Sequence, residues 1–149
     1  MQKSGDSDFI QQAKFWIARI KWKKGKIQPG IDQLNDLLME ELYSITSTVI
    51  HLYLADIYIE LKDVEAALVH LETAAEKTVE RKEKGRIYQR LSELAFKRKE
   101  YDRALKAYAQ VIKNSLVKKL KEDAHLQTAK IYRLTGDYET CLLYTSRAH

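Results

Sequence analysis

A six-residue pattern that returns at a fixed interval constrains this chain more than any other feature. Asp63-Val64-Glu65-Ala66-Ala67-Leu68 and Glu100-Tyr101-Asp102-Arg103-Ala104-Leu105 share an apolar or aromatic residue, two polar or small ones, then Ala-Leu, and Ala67 and Ala104 stand 37 positions apart. The same step carries Leu54-Ala55 onto Leu91-Ser92 and then onto Thr128-Ala129, and Tyr101 onto Tyr138; two steps carry Tyr58 onto Tyr132. One step backward takes Ala55 to Ala18, Val64 to Ile27, Ala67 to Gly30 and Leu71 to Leu34. A self-similar period in the range of roughly 20 to 50 residues is the mark of stacked structural units rather than of one globular core.

Within each unit the apolar residues recur at helical spacing. Leu54, Ile57, Tyr58 and Leu61 follow i, i+3, i+4, i+7, and Ala67, Leu68, Leu71, Ala74 and Ala75 resume the stripe after a break. One proline and five glycines in 149 residues leave few turns for a sheet protein, so the units read as pairs of amphipathic helices. The pattern predicts helices over 8–24, 28–42, 45–61, 64–78, 82–98, 101–114 and 118–135. Start and stop signals mark the breaks: Gly25 with Pro29, Asp63 as an N-cap, and Gly136-Asp137 before Tyr138. Small residues at Ala18, Ala55, Ser92 and Ala129, and at Gly30, Ala67 and Ala104, fall where paired helices would cross closely. No single pair covers both of its apolar faces, so the pairs must stack.

These residues resemble the tetratricopeptide repeat family, through Leu54-Ala55, Tyr58, Val64, Ala67, Leu71 and Ala74, then Tyr88, Leu91, Tyr101, Ala104, Tyr108 and Val111, then Ala129, Tyr132 and Gly136-Asp137-Tyr138. The resemblance covers about residues 11 to 140 and implies an all-α fold, a right-handed α-solenoid of antiparallel helix pairs. The period of about 37 departs from the ~34 of the family. The extra residues fall around Lys77 to Lys84 and Asn114 to Lys121, which predicts one helix of each pair extended by a turn. The first unit is degenerate, with Lys21 where an aromatic would stand. The expected organisation is a disordered N-terminus over 1–7, a repeat domain over 8–140 with units at about 11–47, 48–84, 85–121 and a truncated 122–140, and a tail over 141–149. That tail, Cys-Leu-Leu-Tyr-Thr-Ser-Arg-Ala-His, resembles the translated end of a transposon-derived sequencing adapter and is expected to be non-native. The chain is accordingly expected to be a fragment, with helix 118–135 left without its partner and an exposed apolar patch there.

By the same resemblance, the first helix of each pair lines a concave groove for a protein or peptide partner. The side chains expected to face it are Phe15, Arg19, Trp22 and Lys23; Leu52, Asp56, Ile59 and Glu60; Arg86, Gln89, Glu93, Phe96 and Lys97; and Lys130 and Arg133. Aromatic anchors among charges suit an extended peptide or a partner helix. A carboxylate clamp for chaperone C-termini is not expected, because Arg86 and Arg90 match only its last two positions in charge, while Phe15, Arg19 and Tyr53 replace the others. A looser resemblance, carried by Gln11 to Arg19, Ile31 to Leu38 and Glu83 to Leu91, is to repeats of Bacteroidetes outer-membrane lipoproteins of gliding motility and type IX secretion. It implies a periplasmic, outer-membrane-associated location, although the lipidated N-terminal cysteine of those proteins is missing; without that resemblance the chain reads as cytoplasmic.

The remaining function classes find less support. Lys14, Arg19, Lys21, Lys23, Lys24 and Lys26 form a basic run, Asp56 to Glu76 is acidic, and Arg81 to Lys121 is basic again; this alternation is expected to be the solvated outer face of the helices. A helical repeat that binds RNA or single-stranded nucleic acid is the alternative reading, but the acidic second unit interrupts a phosphate track. No stretch reaches the ~18 to 20 apolar residues of a membrane span. Cys141 is the only cysteine, so neither an internal disulfide nor a cysteine zinc site can form. His51, His70 and His125 lack the i, i+4 spacing of a zinc helix and are expected as separate helix-surface or interface residues. No catalytic residue, metal, cofactor or small-molecule substrate is expected.

Overall fold

The computed structural model describes the backbone of residues 2–40 and 44–148 and the side chains of residues 10–40 and 46–146. Among the described residues eight helices follow one another and no strand occurs: α1 (Gln2–Lys23), α2 (Ile27–Met39), α3 (Ser44–Glu60), α4 (Val64–Lys77), α5 (Arg81–Lys97), α6 (Tyr101–Asn114), α7 (Lys118–Leu134) and α8 (Tyr138–Ala148). The repeat step governs the boundaries. The second helices begin at Ile27, Val64, Tyr101 and Tyr138, and the first helices end at Lys23, Glu60, Lys97 and Leu134, each 37 residues after the last. Helices α3, α5 and α7 have 17 residues against 14 in α4 and α6, so the added length sits on the first helix of each pair.

The turn inside each pair is a Schellman motif, repeated four times. Gly25, Lys62, Lys99 and Gly136 hold positive φ (81°, 63°, 62° and 86°), again in steps of 37. In each turn this residue's N–H donates to the carbonyl three residues back, and the next N–H reaches five residues back, as in Lys62 to Ile59 at 3.1 Å and Asp63 to Tyr58 at 2.9 Å. Asp63 then accepts from the Ala66 N–H at 3.2 Å and Asp137 from the Thr140 N–H at 3.1 Å, capping α4 and α8.

Packing is sequential, each helix lying chiefly against its neighbours in chain order. The core is correspondingly drawn out into two clusters, one built from Phe15, Ala18, Ile31, Leu34, Leu37, Ile50, Leu54 and Ile57, the other running from Ala55 through Leu71, Ile87 and Val111 to Ile131. Helix α3 joins them, since its Leu54 belongs to the first and its Ala55 to the second. The small residues sit at the crossings: Ala18, Ala55, Ser92, Ala67 and Ala104 are wholly buried. A Cβ built on Gly30 would stand 3.1 Å from the Ala18 carbonyl oxygen and 3.2 Å from Trp22 Cβ, so α1 and α2 touch backbone to backbone.

Three expectations are corrected. α1 begins at Gln2 rather than near residue 8, because extending a docked helix through polar residues costs little once its nucleus exists. α2 ends at Met39, and positions 41–43 lie outside the described residues. α7 is not without a partner. Residues 138–148 form α8, and Tyr144 stacks on Tyr132 at 5.6 Å and lies 5.8 Å from His125. Leu134, Tyr138, Leu142 and Leu143 are exposed at that end, so the expected apolar surface is present but carried mainly by α8. The array is an all-α helical repeat solenoid.

Candidate partner-binding groove

The first helices α1, α3, α5 and α7 stand side by side and enclose two open clefts. The first, of about 520 Å³, is lined by Arg19, Trp22 and Lys23 of α1, Tyr53, Asp56, Ile59 and Glu60 of α3, and Arg90 of α5. The second, of about 440 Å³, takes Gln89, Ser92, Glu93, Phe96 and Lys97 from α5 and Leu120, Asp123, Ala124, Gln127 and Lys130 from α7, with Tyr108 and Val111 of α6 as its floor. Of the side chains expected in the groove, Arg19, Trp22, Lys23, Asp56, Ile59 and Glu60 therefore meet in one cleft, and Gln89, Glu93, Phe96, Lys97 and Lys130 in the other.

Four are elsewhere. Phe15 is a core residue, 9% exposed, packed edge-on against Tyr53 at 5.0 Å. Its position on α1 turns it toward α3, where its area is worth more out of water than at a rim. Leu52 packs against the second core cluster and lines a separate small cleft with Val49 and Val79 at the α4–α5 turn. Arg86 is exposed on α5 beside Glu83, at 3.9 Å, and Arg133 is exposed in the last turn of α7; neither lines these two clefts.

Successive first helices are joined by polar or cation–ring contacts in one register. The Arg19 guanidinium lies over the Tyr53 ring at 5.0 Å and over Trp16 at 4.9 Å, Asp56 pairs with Arg90, and the Lys130 ammonium lies over Phe96 at 5.3 Å. Each partner in this ladder is 34 positions from the other, one helical turn short of the repeat. The expected groove set holds Arg19, Asp56, Phe96 and Lys130 but lacks their partners Tyr53 and Arg90. The signal was present, as cation and ring or cation and acid recurring at i, i+34. Glu93 also accepts from Gln89 at 3.1 Å. Burial and then the Glu93 carboxylate push the Tyr108 phenol up to about 12, against the lowering effect of its hydrogen bond with Ser92, so the cleft floor carries a neutral hydroxyl.

On the second helices, charge joins neighbouring units too. Arg103 of α6 forks onto Glu72 of α4 at 2.5 and 3.0 Å and reaches Glu65 at 3.1 Å and Glu100 at 3.0 Å. The acidic second unit is thus partly an ion-pairing face for the basic third. His51 and His70 are not separate surface residues either. Their Nδ1 atoms are 3.0 Å apart across α3 and α4, and Tyr58 stacks on His70 at 5.5 Å. Burial first, then the charges of His70 and Lys77, lower the His51 imidazole to about 4, and burial lowers His70 as well. Among the described residues no group of three His, Cys, Asp or Glu side chains is placed to hold a metal ion, and no helix is long and apolar enough to cross a membrane.

None of the curated proteins compared matches this chain. Among solved structures it is similar to the crystal structure of BtubC (BKLC) from P. vanneervenii, at 16% identity and a TM-score of 0.65, over 95% of this chain and 62% of that one. It is also similar to the crystal structure of MamA, at 15% identity and a TM-score of 0.59, over 93% of this chain and 75% of that one. At such identity the likeness is one of fold, and the chain spans less than two thirds of BtubC. The model of the tetratricopeptide repeat-like domain matches residues 1–125, most of the length, and with four helix pairs in one register this chain belongs to the tetratricopeptide repeat-like domain family.

Proposed function

We propose that this chain is a protein-interaction scaffold whose first helices hold an extended peptide or a partner helix across the two clefts. The observation that carries the reading is the row of apolar walls, Trp22, Tyr53 and Ile59 in one cleft and Phe96 and Leu120 in the next, interleaved with charges already held by cross-helix contacts. Side chains fixed in this way lose little further freedom when a partner arrives, so more of the contact energy is expressed as affinity. Asp56, Glu60, Glu93 and Asp123 line the same clefts and break any cationic track, which disfavours nucleic acid as the occupant. The test is selection from a displayed peptide library, followed by binding to Lys23→Glu and Lys97→Glu variants and to Lys106→Glu on α6 as a control outside the groove. Groove variants are expected to shift the dissociation constant by about tenfold while the control does not, in line with charge pairs at a partly desolvated contact. A peptide footprint by hydrogen exchange confined to α4 and α8 would contradict the reading.

The resemblance of Gln11 to Arg19 and Glu83 to Leu91 to lipoprotein repeats supports an envelope secretion or motility assembly as the setting. Proximity labelling in the source cell tests it: neighbours confined to cytosolic enzymes would refute it.

A further inference from the structure

The α4–α5 and α6–α7 connections share one edge of the stack, because second helices end there and first helices begin there. The first turns of α5, which follow one connection, touch the end of α6, which precedes the other: the Arg81 Nη2 donates to the Lys113 carbonyl at 2.8 Å, and a Cβ on Gly85 would lie 3.1 Å from Ser115 Cα. Connections this short are ordinarily polar. Here their tips are apolar and in water, with Val79 85% exposed, Leu116 64% and Val117 48%. Val79 is continuous with Val49 and Leu52 along a small cleft. The flanking segments 77–84 and 113–121 hold eight Lys or Arg against two Glu, an excess of six cations where the whole chain carries a net +5. The rest of the molecule is close to neutral in sum, although it holds a second basic run, Lys14 to Lys26, on α1 and the turn after it. Arg81, Lys82, Lys113, Lys118 and Lys119 are all exposed.

Protruding apolar tips ringed by cations combine two weak membrane signals, partition of side chains below the headgroups and attraction of lysines to lipid phosphates, which together give stable attachment where neither does alone. We propose that this edge docks on an anionic phospholipid bilayer, with Val79, Leu116 and Val117 entering the headgroup layer. Nucleic acid fits less well, since neither segment contains a Phe, Tyr or Trp on which a base would stack, and the apolar tips would hold phosphates away. The inference does not depend on the groove reading.

Co-sedimentation of the full chain with phosphatidylcholine vesicles, with and without about one third phosphatidylserine, tests it. Binding is expected only to the phosphatidylserine vesicles and should weaken by about tenfold or more on raising salt from about 0.05 to about 0.3 M. Lys118→Glu with Lys119→Glu should reduce partition by at least about tenfold, and Val79→Ser with Leu116→Ser by about tenfold at unchanged charge, with melting curves and peptide binding in the groove preserved. Equal sedimentation with neutral vesicles, wild-type partition by the charge-reversed variant, or displacement from vesicles by single-stranded RNA would overturn the proposal.

Discussion

Lysine occupies a left-handed backbone position in two of the four intra-pair turns, where the other two carry glycine. Lys62 and Lys99 have φ of 63° and 62°, and both side chains are exposed. Holding an L-residue with a Cβ in this region costs roughly 1–2 kcal/mol, whereas glycine pays about 0.5–1 kcal/mol for the freedom it loses on folding. Lys62→Gly and Lys99→Gly should each stabilise by about 0.5–1 kcal/mol. The two turns lie in different units, so the effects should add, and the double variant should gain about 1–2 kcal/mol. For a chain of this size that raises Tm by roughly 3–6 °C. Gly25→Ala and Gly136→Ala, placed at φ of 81° and 86° with nothing within 4 Å of the new Cβ, should lose about 1 kcal/mol from backbone strain alone. Urea and thermal unfolding by circular dichroism read all four, with an unchanged m-value as the control on compactness. If both lysine variants are neutral or destabilising while Gly25→Ala is silent, the repeated turn does not hold the residue left-handed and the argument fails.

Because the folded His51 imidazole, at about 4, lies below its ordinary 6.5, the unfolded chain binds more protons between those values; the stabilisation is complete above about pH 6.5 and shrinks toward about pH 4 by up to roughly 3 kcal/mol. Urea midpoints should fall between about pH 7.5 and 5, and His51→Leu should flatten that slope; an equal slope in the variant sinks the assignment. Arg103→Leu leaves Glu72 without its forked partner and Glu65 and Glu100 with Arg98 alone, and should cost about 1–2 kcal/mol, more at low salt, with Arg103→Lys recovering only part because it cannot fork onto Glu72. Gly30→Val presses on the Ala18 carbonyl and Trp22 and should cost about 1–3 kcal/mol in urea unfolding while shifting tryptophan emission; a silent variant would place α1 and α2 further apart than described.

Much of this architecture was legible before any coordinates. The step of 37 seen at Ala67 and Ala104 reappears in helix starts, helix ends and left-handed turns, since a recurring unit must fold recurrently. Grooved side chains were less legible. Phe15 and Trp22 sit seven apart on α1 and look alike in sequence, yet one is core and the other lines a cleft, because which aromatic a neighbour covers depends on how α3 lies across α1. His51 and His70 were read apart because 19 residues of chain separate two side chains that an antiparallel hairpin brings together.

Periodicity along the chain by itself determined the helix pairs, their order, their turns and the small residues at their crossings, because apolar spacing, capping and steric room are local properties repeated unit by unit. Only the tertiary structure decided which side chains of adjacent units meet. That depends on the stagger between neighbouring first helices, about one turn, which converts a repeat of 37 into contacts at 34 and so sets Arg19 on Tyr53, Asp56 on Arg90 and Lys130 on Phe96.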